Sequence, residues 1–511
     1  MICVTIGCGS HKRMITEHIK LAEDGVRLVE LRLDFLRKVP DLGRLLPNRP
    51  TAVVATCRRR ADGGMWQLDE QSRQRVLREA IVEGVEYVDL ELDTARAIPR
   101  YGKTKRIISY HNFEETPADL DAVLNDLLGA DPDIVKLAVT PQRIADVFRV
   151  MQFVTRANAA SAERAARSGK KRIPVVGFCM GEMGVPTRIL AKKFGVPLAY
   201  ATFSPKRILA PGMLHYKTLR DQYRFEEINP QTEVYGVVAD PVGHSLSPLI
   251  HNASFIANGL NKVYVPFRVS PEDIGEFIDR ADELGVRGLS VTIPHKVAVI
   301  EKLTQLDPAV EEINACNTIV LKGKKRFGYN TDYLASGLCI ETALGGKRKS
   351  DDLSPVAGRS VLVMGAGGAG MAIAYGLNAR GARVTLTDGD DAKAERLAAQ
   401  CGYEFCPWEM RHSYVVQILV NATPIGMYPN VNECPIPRDS LRGGMLVFDA
   451  VYNPEKTFLL RQAYEKGCTV VSGIEMFIGQ ACLQYKIFTG HKASAALIRE
   501  LLHNALARSR D

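Results

Sequence analysis

Before residue 205 the chain repeats one unit, a short apolar run followed in most cases by an amphipathic stretch of helix length. The runs fall at roughly 1 to 6, 28 to 33, 51 to 57, 87 to 92, 105 to 111, 133 to 139, 172 to 180 and 198 to 203. A helix between consecutive strands returns the chain to the same end of a sheet, so the strands must be parallel. Eight such units in about 220 residues suit a closed (β/α)8 barrel. Chemistry in that architecture sits at the C-terminal ends of the strands. The polar candidates follow this rule: Glu30 and Arg32 near the end of the second run, Arg58 just after the third, His111 closing the fifth, Lys136 within the sixth. Asp62 lies in the loop after Arg58, and Arg188 follows the seventh run.

Lys136 is the most demanding of these. It stands inside Asp133-Ile134-Val135-Lys136-Leu137-Ala138-Val139, where an ammonium must lose its charge or find compensation. An amine so placed, with His111 as proton shuttle and several guanidiniums at one barrel mouth, describes imine chemistry on a carboxylate-bearing keto compound. Singly, each residue has a plainer reading. A strand-end arginine often makes a surface ion pair, and an isolated histidine a local hydrogen bond.

The chain has 511 residues, past the size at which one core stops growing, so two or three domains are expected. Its formal net charge of +8 is scattered, with runs such as Arg58-Arg59-Arg60 stopping at three, which favours anionic small molecules over nucleic acid. The 11 cysteines are odd in number and lie apart, without a CxxC or a Cys/His cluster, as expected for reduced thiols in a cytoplasmic protein with no bound metal. Neither a signal sequence nor a membrane span is legible, so no membrane partner is expected. Oligomeric state is not readable.

The segments Glu30-Leu31-Arg32-Leu33-Asp34, Cys57 through Gly64, Tyr110-His111-Asn112-Phe113, Ile134 through Val139 and Met180-Gly181 through Arg188 resemble type I 3-dehydroquinate dehydratase over residues 1 to about 220. The resemblance implies that Lys136 forms an imine with the substrate ketone. It also implies that His111 takes the adjacent C2 proton and returns it to the departing C1 hydroxyl, with Asp62 orienting the histidine. Glu30, Arg32, Arg58 and Arg188 match positions holding the substrate's hydroxyls and carboxylate. One departure stands out: the closing loop usually reads Ser-Ala-Pro-Gly-Gln, and here it is Leu209-Ala210-Pro211-Gly212-Met213. Two hydrogen-bonding side chains are missing from a lid expected to touch substrate.

After the polar stretch 224–232, strand and helix alternation resumes, which puts a domain boundary at 228/229. A second, exposed junction is expected over 345–355, dividing a substrate lobe, 229–345, from a nucleotide lobe, 346–511. Downstream, a strand candidate, 360–364, leads into Gly365-Ala366-Gly367-Gly368-Ala369-Gly370 and a helical run. Gly365, Gly367 and Gly370 fit GxGxxG, and a second strand ends at Asp388, completing a βαβ unit that binds a dinucleotide.

The segments Val242 through Pro248, Leu289 through Lys296, Asn314 through Thr318 and Tyr329 through Asp332 precede the glycines, and Asn421 through Met427 and Ser472 through Ala481 follow them. Each alone reads as turn chemistry. In this order they resemble shikimate dehydrogenase over residues 233 to 511, a two-lobed α/β fold with a Rossmann lobe. The resemblance assigns Ser245, Ser247, Thr292, Asn317, Gln480 and Tyr452 to the substrate, and Lys296 with Asp332 to catalysis. Ala422, Thr423, Met427 and Gly473, with the six-residue glycine loop, go to the cofactor. The family default is NADP, with an Asn-Arg-Thr/Ser run after the second strand. Here the matching residues are Asp388-Gly389-Asp390, and an acidic residue there accepts from a free ribose 2'-hydroxyl and repels a phosphate, so NAD is expected to serve at least as well unless Lys393 reaches the phosphate.

The implied product of the first half is the implied substrate of the second, which yields a fused pair of consecutive shikimate-pathway reactions leading to aromatic amino acids. Two alternatives remain open at this point: NAD-dependent oxidation of quinate or shikimate, and a metabolite-sensing regulator built from decayed copies of both domains.

Overall fold

The computed structural model describes residues 1–169, 171–345 and 353–508. Residues 346–352 of the expected lobe junction, and with them its boundary, lie outside the described residues. The chain forms two compact units, residues 1–235 with 240–245 and 261–285, and residues 236–239 with 246–260 and 286–511.

In the first unit eight parallel strands follow the predicted runs within three residues: Ile2–Ile6 (β1), Leu28–Arg32 (β2), Ala52–Thr56 (β3), Tyr87–Glu91 (β4), Lys105–Asn112 (β5), Ile134–Val139 (β6), Val175–Cys179 (β7) and Ala199–Thr202 (β8). Their hydrogen-bonded order is β7-β6-β5-β4-β3-β2-β1-β8, so the barrel order begins at β7 and ends at β8. The helices begin where polar residues supply the missing acceptor for a free N–H. Ser10 caps His11–Glu23 and Asp69 caps Glu70–Val82 through their side-chain oxygens. Because side chains alternate across a strand, the register decides which residues share the barrel interior. Thr5 pairs with Glu30, Glu91 with Ser109, and Ser109 with Lys136, which puts all of them and His111 on one side. The same unit holds Lys262–Arg268 (β10) and the helix Ile274–Arg280, whose Asp273 accepts from Arg143 and from the Ile144 N–H at the start of the helix Ile144–Ser168.

The second unit carries a mixed sheet in which Glu233–Ala239 (β9), Val286–Val291 (β11), Thr318–Lys322 (β13), Lys325–Tyr329 (β14) and Gln305–Leu306 (β12) are ordered β9-β11-β13-β14-β12. Ser360–Met364 (β15), Arg383–Thr387 (β16), Glu404–Phe405 (β17), Ile418–Asn421 (β18), Leu446–Asp449 (β19) and Thr469–Ser472 (β20) form a parallel sheet ordered β17-β16-β15-β18-β19-β20. That order reverses between β15 and β18, and the crevice at such a reversal is where doubly wound sheets bind ligands. The helices Gly473–Thr489 and Ala495–Arg508 follow, and Ile474, Ile478, Ile498 and Leu502 pack with Ile250 of the helix Ser247–Ala257.

Candidate active sites

Lys136 is 5% exposed, and it finds its compensation: Nζ donates to Asp89 Oδ2 at 2.9 Å, lies 3.9 Å from Glu30 Oε1 and sits 4.1 Å above the Tyr200 ring. Asp89 is shared. Its other oxygen accepts from Arg58 at 2.7 Å and from the Ser109 hydroxyl at 2.6 Å. Burial alone would raise this carboxyl, but the charges of Arg58 and Lys136 outweigh it and hold Asp89 well below the usual carboxylate range. Arg58 also reaches Glu91 at 2.7 Å, and Arg73, fully buried, closes the network from the other side of Glu91 at 2.9 Å. Lys136, Arg58, Arg73, Asp89 and Glu91 therefore each have an opposite partner, the condition under which burying them is tolerable.

The other predicted barrel residues divide into those already engaged and those left open. Glu30 accepts from Thr5 at 2.7 Å and Thr56 at 2.8 Å, and Arg32 is clamped in a fork by Asp34 at 2.9 and 2.8 Å. His111 has its Nδ1 buried with no hydrogen-bond partner among the described residues. Burial, then the nearby Arg58 and Lys136 charges, lower its pKa well below the ordinary histidine value, so the ring is a neutral proton acceptor at neutral pH. Arg188 is buried, with Nε and Nη1 unpartnered among the described residues and Nη2 donating to the Pro211 carbonyl at 3.2 Å. Burial pushes its pKa down to about 10, which still leaves it charged at neutral pH. A buried, unpaired guanidinium is a receptor for an anion.

The structure does not bring Asp62 to His111. Asp62 ends the short turn Arg60–Asp62 and its carboxylate is taken by Arg59, which also holds Asp93. The lid is docked: a Cβ on Gly212 would stand 2.1 Å from the Gly181 carbonyl oxygen, and Gly212 has φ +72°. Leu209 presses so closely on Gly7 that a Cβ there would stand 2.8 Å from Leu209 Cδ2. The reading of the sequence missed Asp89, Glu91 and Ser109. The alternation Asp89-Leu90-Glu91 on a strand, two carboxylates on one face, was the available signal.

In the second unit Lys296 lies in the turn after β11, and Nζ donates to Asp332 Oδ2 at 2.6 Å. Two further bonds fix this pair: the Cys316 N–H donates to the Lys296 carbonyl at 2.8 Å, and the Asp332 N–H to Asn330 Oδ1 at 3.0 Å. Asn317 is buried, accepting from the Thr331 N–H at 2.9 Å and the Thr318 hydroxyl at 2.7 Å. Gln484, absent from the predicted set, donates to the Asn317 carbonyl at 3.1 Å and accepts from Ser290 at 2.8 Å, so it braces β11 against β13. Gln480 lies one helical turn earlier and donates to the Phe477 carbonyl at 3.1 Å, while Tyr452 packs on the Phe477 ring at 5.0 Å. Burial raises the Tyr452 phenol above its ordinary value, leaving it a donor. Thr292 follows β11, Ser247 begins the helix Ser247–Ala257, and Ser245 belongs to the first unit's segment 240–245.

The glycine loop fits a dinucleotide on steric grounds. A Cβ on Gly370 would stand 1.8 Å from the Gly365 carbonyl oxygen, and one on Gly365 2.8 Å from the Ala422 backbone, whereas at Gly367 nothing lies within 4 Å. Two glycines thus let chain segments touch and the third leaves backbone open to a ligand. With Ala366, Gly368 and Ala369 the loop runs directly into the helix Gly368–Asn378, whose N-terminus favours anions. Asp388, after β16, accepts from the Ala366 N–H at 2.6 Å and the Asp390 N–H at 3.0 Å, with Lys393 Nζ 3.8 Å away. Thr423 donates twice to Asn421, at 3.1 and 2.6 Å, fixing the turn after β18 next to Ala422. Met427 is exposed, and Gly473 opens the helix Gly473–Thr489.

The chain matches the family models of type I 3-dehydroquinase at residues 2–230, the shikimate dehydrogenase substrate binding domain at 237–319, and the shikimate 5'-dehydrogenase C-terminal domain at 473–503. It is 37% identical to the bifunctional 3-dehydroquinate dehydratase/shikimate dehydrogenase, chloroplastic, of Arabidopsis thaliana, over 98% of this chain and 84% of that protein. It is 35% identical to the shikimate dehydrogenase (NADP(+)) of Methanocaldococcus jannaschii, over 55% of this chain and 100% of that one. A crystal structure of shikimate dehydrogenase in complex with NADP+ superimposes with a TM-score of 0.51 at 35% identity, covering 55% of this chain and 97% of its own. Among the described residues no helix is long and apolar enough to cross a membrane.

Proposed function

The chain belongs to the family of bifunctional 3-dehydroquinate dehydratase/shikimate dehydrogenase enzymes, and from that premise we propose how its residues divide the work. It is a lyase and an oxidoreductase of the shikimate pathway. The first activity dehydrates 3-dehydroquinate to 3-dehydroshikimate, and the second reduces 3-dehydroshikimate to shikimate. The proposed division is a dehydratase over 1–228, a substrate lobe over 229–345 and a nucleotide lobe over 346–511.

In the barrel, Lys136 condenses with the substrate ketone, losing water to form an imine. The protonated imine withdraws electrons from C2, His111 removes the C2 proton there, the C1 hydroxyl leaves as water with that proton, and a second water hydrolyses the imine to release 3-dehydroshikimate and the free lysine. The observation that carries this reading is Arg188: a buried guanidinium with unpartnered nitrogens beside a compensated amine matches a substrate bearing both a carboxylate and a ketone. Glu30, Arg32 and Arg58 line the same interior and hold hydroxyls. Asp62 orients His111 only if the turn Arg60–Asp62 swings inward and releases Arg59.

In the second unit Lys296 protonates the carbonyl oxygen as it gains negative charge, and Asp332 keeps the ammonium aimed. A nicotinamide cofactor, when bound, would supply the hydride. Of this unit's residues Ser247, Thr292, Asn317, Tyr452 and Gln480 orient the ring, Ser245 is assigned to the substrate by the family resemblance alone, and the glycine loop, Ala422, Thr423, Met427 and Gly473 would hold the cofactor. The shikimate dehydrogenase of Methanocaldococcus jannaschii is named for NADP. We add that NAD serves at least as well, because Asp388 offers a fixed carboxylate after the second strand of the nucleotide-binding unit, which accepts from a free 2'-hydroxyl and repels a phosphate, with Lys393 Nζ 3.8 Å from it. That same feature favours a second reading, oxidation of quinate or shikimate with NAD. Eleven free cysteines support a reducing, cytoplasmic setting. The small-molecule substrates are the only partners proposed.

The test is steady-state kinetics with NADH and NADPH on 3-dehydroshikimate, and with NAD on quinate and shikimate. Comparable kcat/KM for the two reduced cofactors is expected. A preference for NADPH above about a hundredfold, which corresponds to about 3 kcal/mol, contradicts the Asp388 assignment.

A further inference from the structure

The barrel's hydrogen-bonded order ends at β7 and β8, and each of these end strands places one aromatic ring toward the other. Phe178 on β7 and Tyr200 on β8 have ring centroids 6.3 Å apart, tilted by 52°. Each ring also carries a cation on its face: the Arg188 guanidinium carbon lies 4.2 Å above Phe178 and the Lys136 ammonium 4.1 Å above Tyr200. All four side chains are buried. The face of an aromatic ring is electronegative, and its attraction for a cation grows as water is excluded.

The register explains how the geometry arises. Phe178 stands opposite Ala138, two residues beyond Lys136 along β6, and Tyr200 stands opposite Cys3 on β1. The small Ala138 leaves room beside Lys136, and the two rings occupy the seam.

We propose that Phe178 and Tyr200 are positioning residues that hold Arg188 and Lys136 through their ring faces, and so set the spacing between carboxylate and ketone that the barrel accepts. This rests on the roles given above to Lys136 and Arg188. The two rings contribute unequally. Lys136 has Asp89 as a second anchor at 2.9 Å, whereas Arg188 has one carbonyl bond at 3.2 Å and, among the described residues, no partner on Nε or Nη1. Phe178 therefore acts mainly on substrate binding, and Tyr200 on the condensation step.

The experiment is dehydratase kinetics on the full chain carrying Phe178→Leu, Phe178→Tyr, Tyr200→Leu or Tyr200→Phe, with reductase rate in the same preparations as the check on folding. Phe178→Leu is expected to raise KM for 3-dehydroquinate about 3- to 30-fold with kcat nearly unchanged, and Tyr200→Leu to lower kcat by about 3- to 30-fold. Phe178→Tyr and Tyr200→Phe keep a ring face and stay within about twofold of wild type. Leucine variants with wild-type constants overturn the proposal, and so do conservative variants as impaired as the leucine ones. If a leucine variant fails to fold, Phe178→Met or Tyr200→Met takes its place with the same expected loss, and wild-type constants in it overturn the proposal. Borohydride trapping of the wild type separates the two failures: absence of an adduct at Lys136 removes the underlying reading, whereas an adduct together with unaffected leucine variants removes only the role of the rings.

Discussion

The two lysines at the candidate sites are each held by an aspartate, Lys136 by Asp89 at 2.9 Å and Lys296 by Asp332 at 2.6 Å, yet they are built into different settings. Lys136 sits in the middle of a strand, 5% exposed, above an aromatic ring and within a network that includes Arg58, Ser109 and Glu91. Lys296 sits in a turn, partly open to solvent, with one carboxylate and its backbone carbonyl tied to Cys316. An amine that must form and break a covalent bond needs its line of attack fixed on every side, and a rigid strand supplies that. An amine that only delivers a proton needs reach and charge, which a turn and one carboxylate supply.

The largest expected effect separates the two. Lys136→Ala should remove dehydration by about 10⁴-fold or more while leaving the reductase within about twofold, and Asp332→Asn should lower reductase kcat by about 10²- to 10³-fold without touching dehydration. Loss of both activities from either substitution would break the comparison.

Next comes His111. His111→Ala should lower dehydratase kcat by about 10²- to 10⁴-fold. Because burial and the neighbouring cations depress the wild-type ring's pKa, its proton-accepting form persists as pH falls through 6.5 and is lost only well below that. The acidic limb of dehydratase kcat/KM should therefore lie well under the ordinary histidine range. A limb centred near 6.5 contradicts the assignment.

The lid sharpens the contrast more gently. Leu209→Ser with Met213→Gln restores two polar side chains where the docked loop meets Arg188 through Pro211, and each is expected to improve dehydratase kcat/KM by about tenfold if it reaches substrate. An unchanged or lower value would show that the apolar packing of Leu209 over Gly7 is what closes the lid.

The smallest effect concerns the nucleotide lobe alone. Asp449 is fully buried, accepting from Thr457 at 2.6 Å and from Asn421 at 3.0 Å, and burial raises its pKa from 3.8 to about 6. A folded-state pKa above the unfolded one means that its contribution to stability is complete below about pH 4 and is lost as pH rises through about 6. Asp449→Asn should flatten the fall in Tm between about pH 4 and 6, and a slope equal to wild type would count against this.

Much of the scaffold was legible because it rests on period and spacing. The eight apolar runs became β1 to β8 within three residues, and Gly365, Gly367 and Gly370 stand where a strand meets a helix. The site was legible where chemistry forced unusual residues into apolar runs, as at Lys136. It was not where partners come from distant strands. Asp89 joins Lys136 across 47 residues, and Gln484 reaches Asn317 across 167, which no local pattern reports. The placement of Asp62 shows the converse. A family position fixes a residue along the chain but not its rotamer, and the adjacent Arg59 holds that carboxylate.

The most direct measurement is borohydride reduction in the presence of 3-dehydroquinate, followed by peptide mass mapping. The account predicts one stable adduct, on Lys136, and none on Lys296. An adduct on another lysine, or no adduct in a chain that still reduces 3-dehydroshikimate, would contradict it.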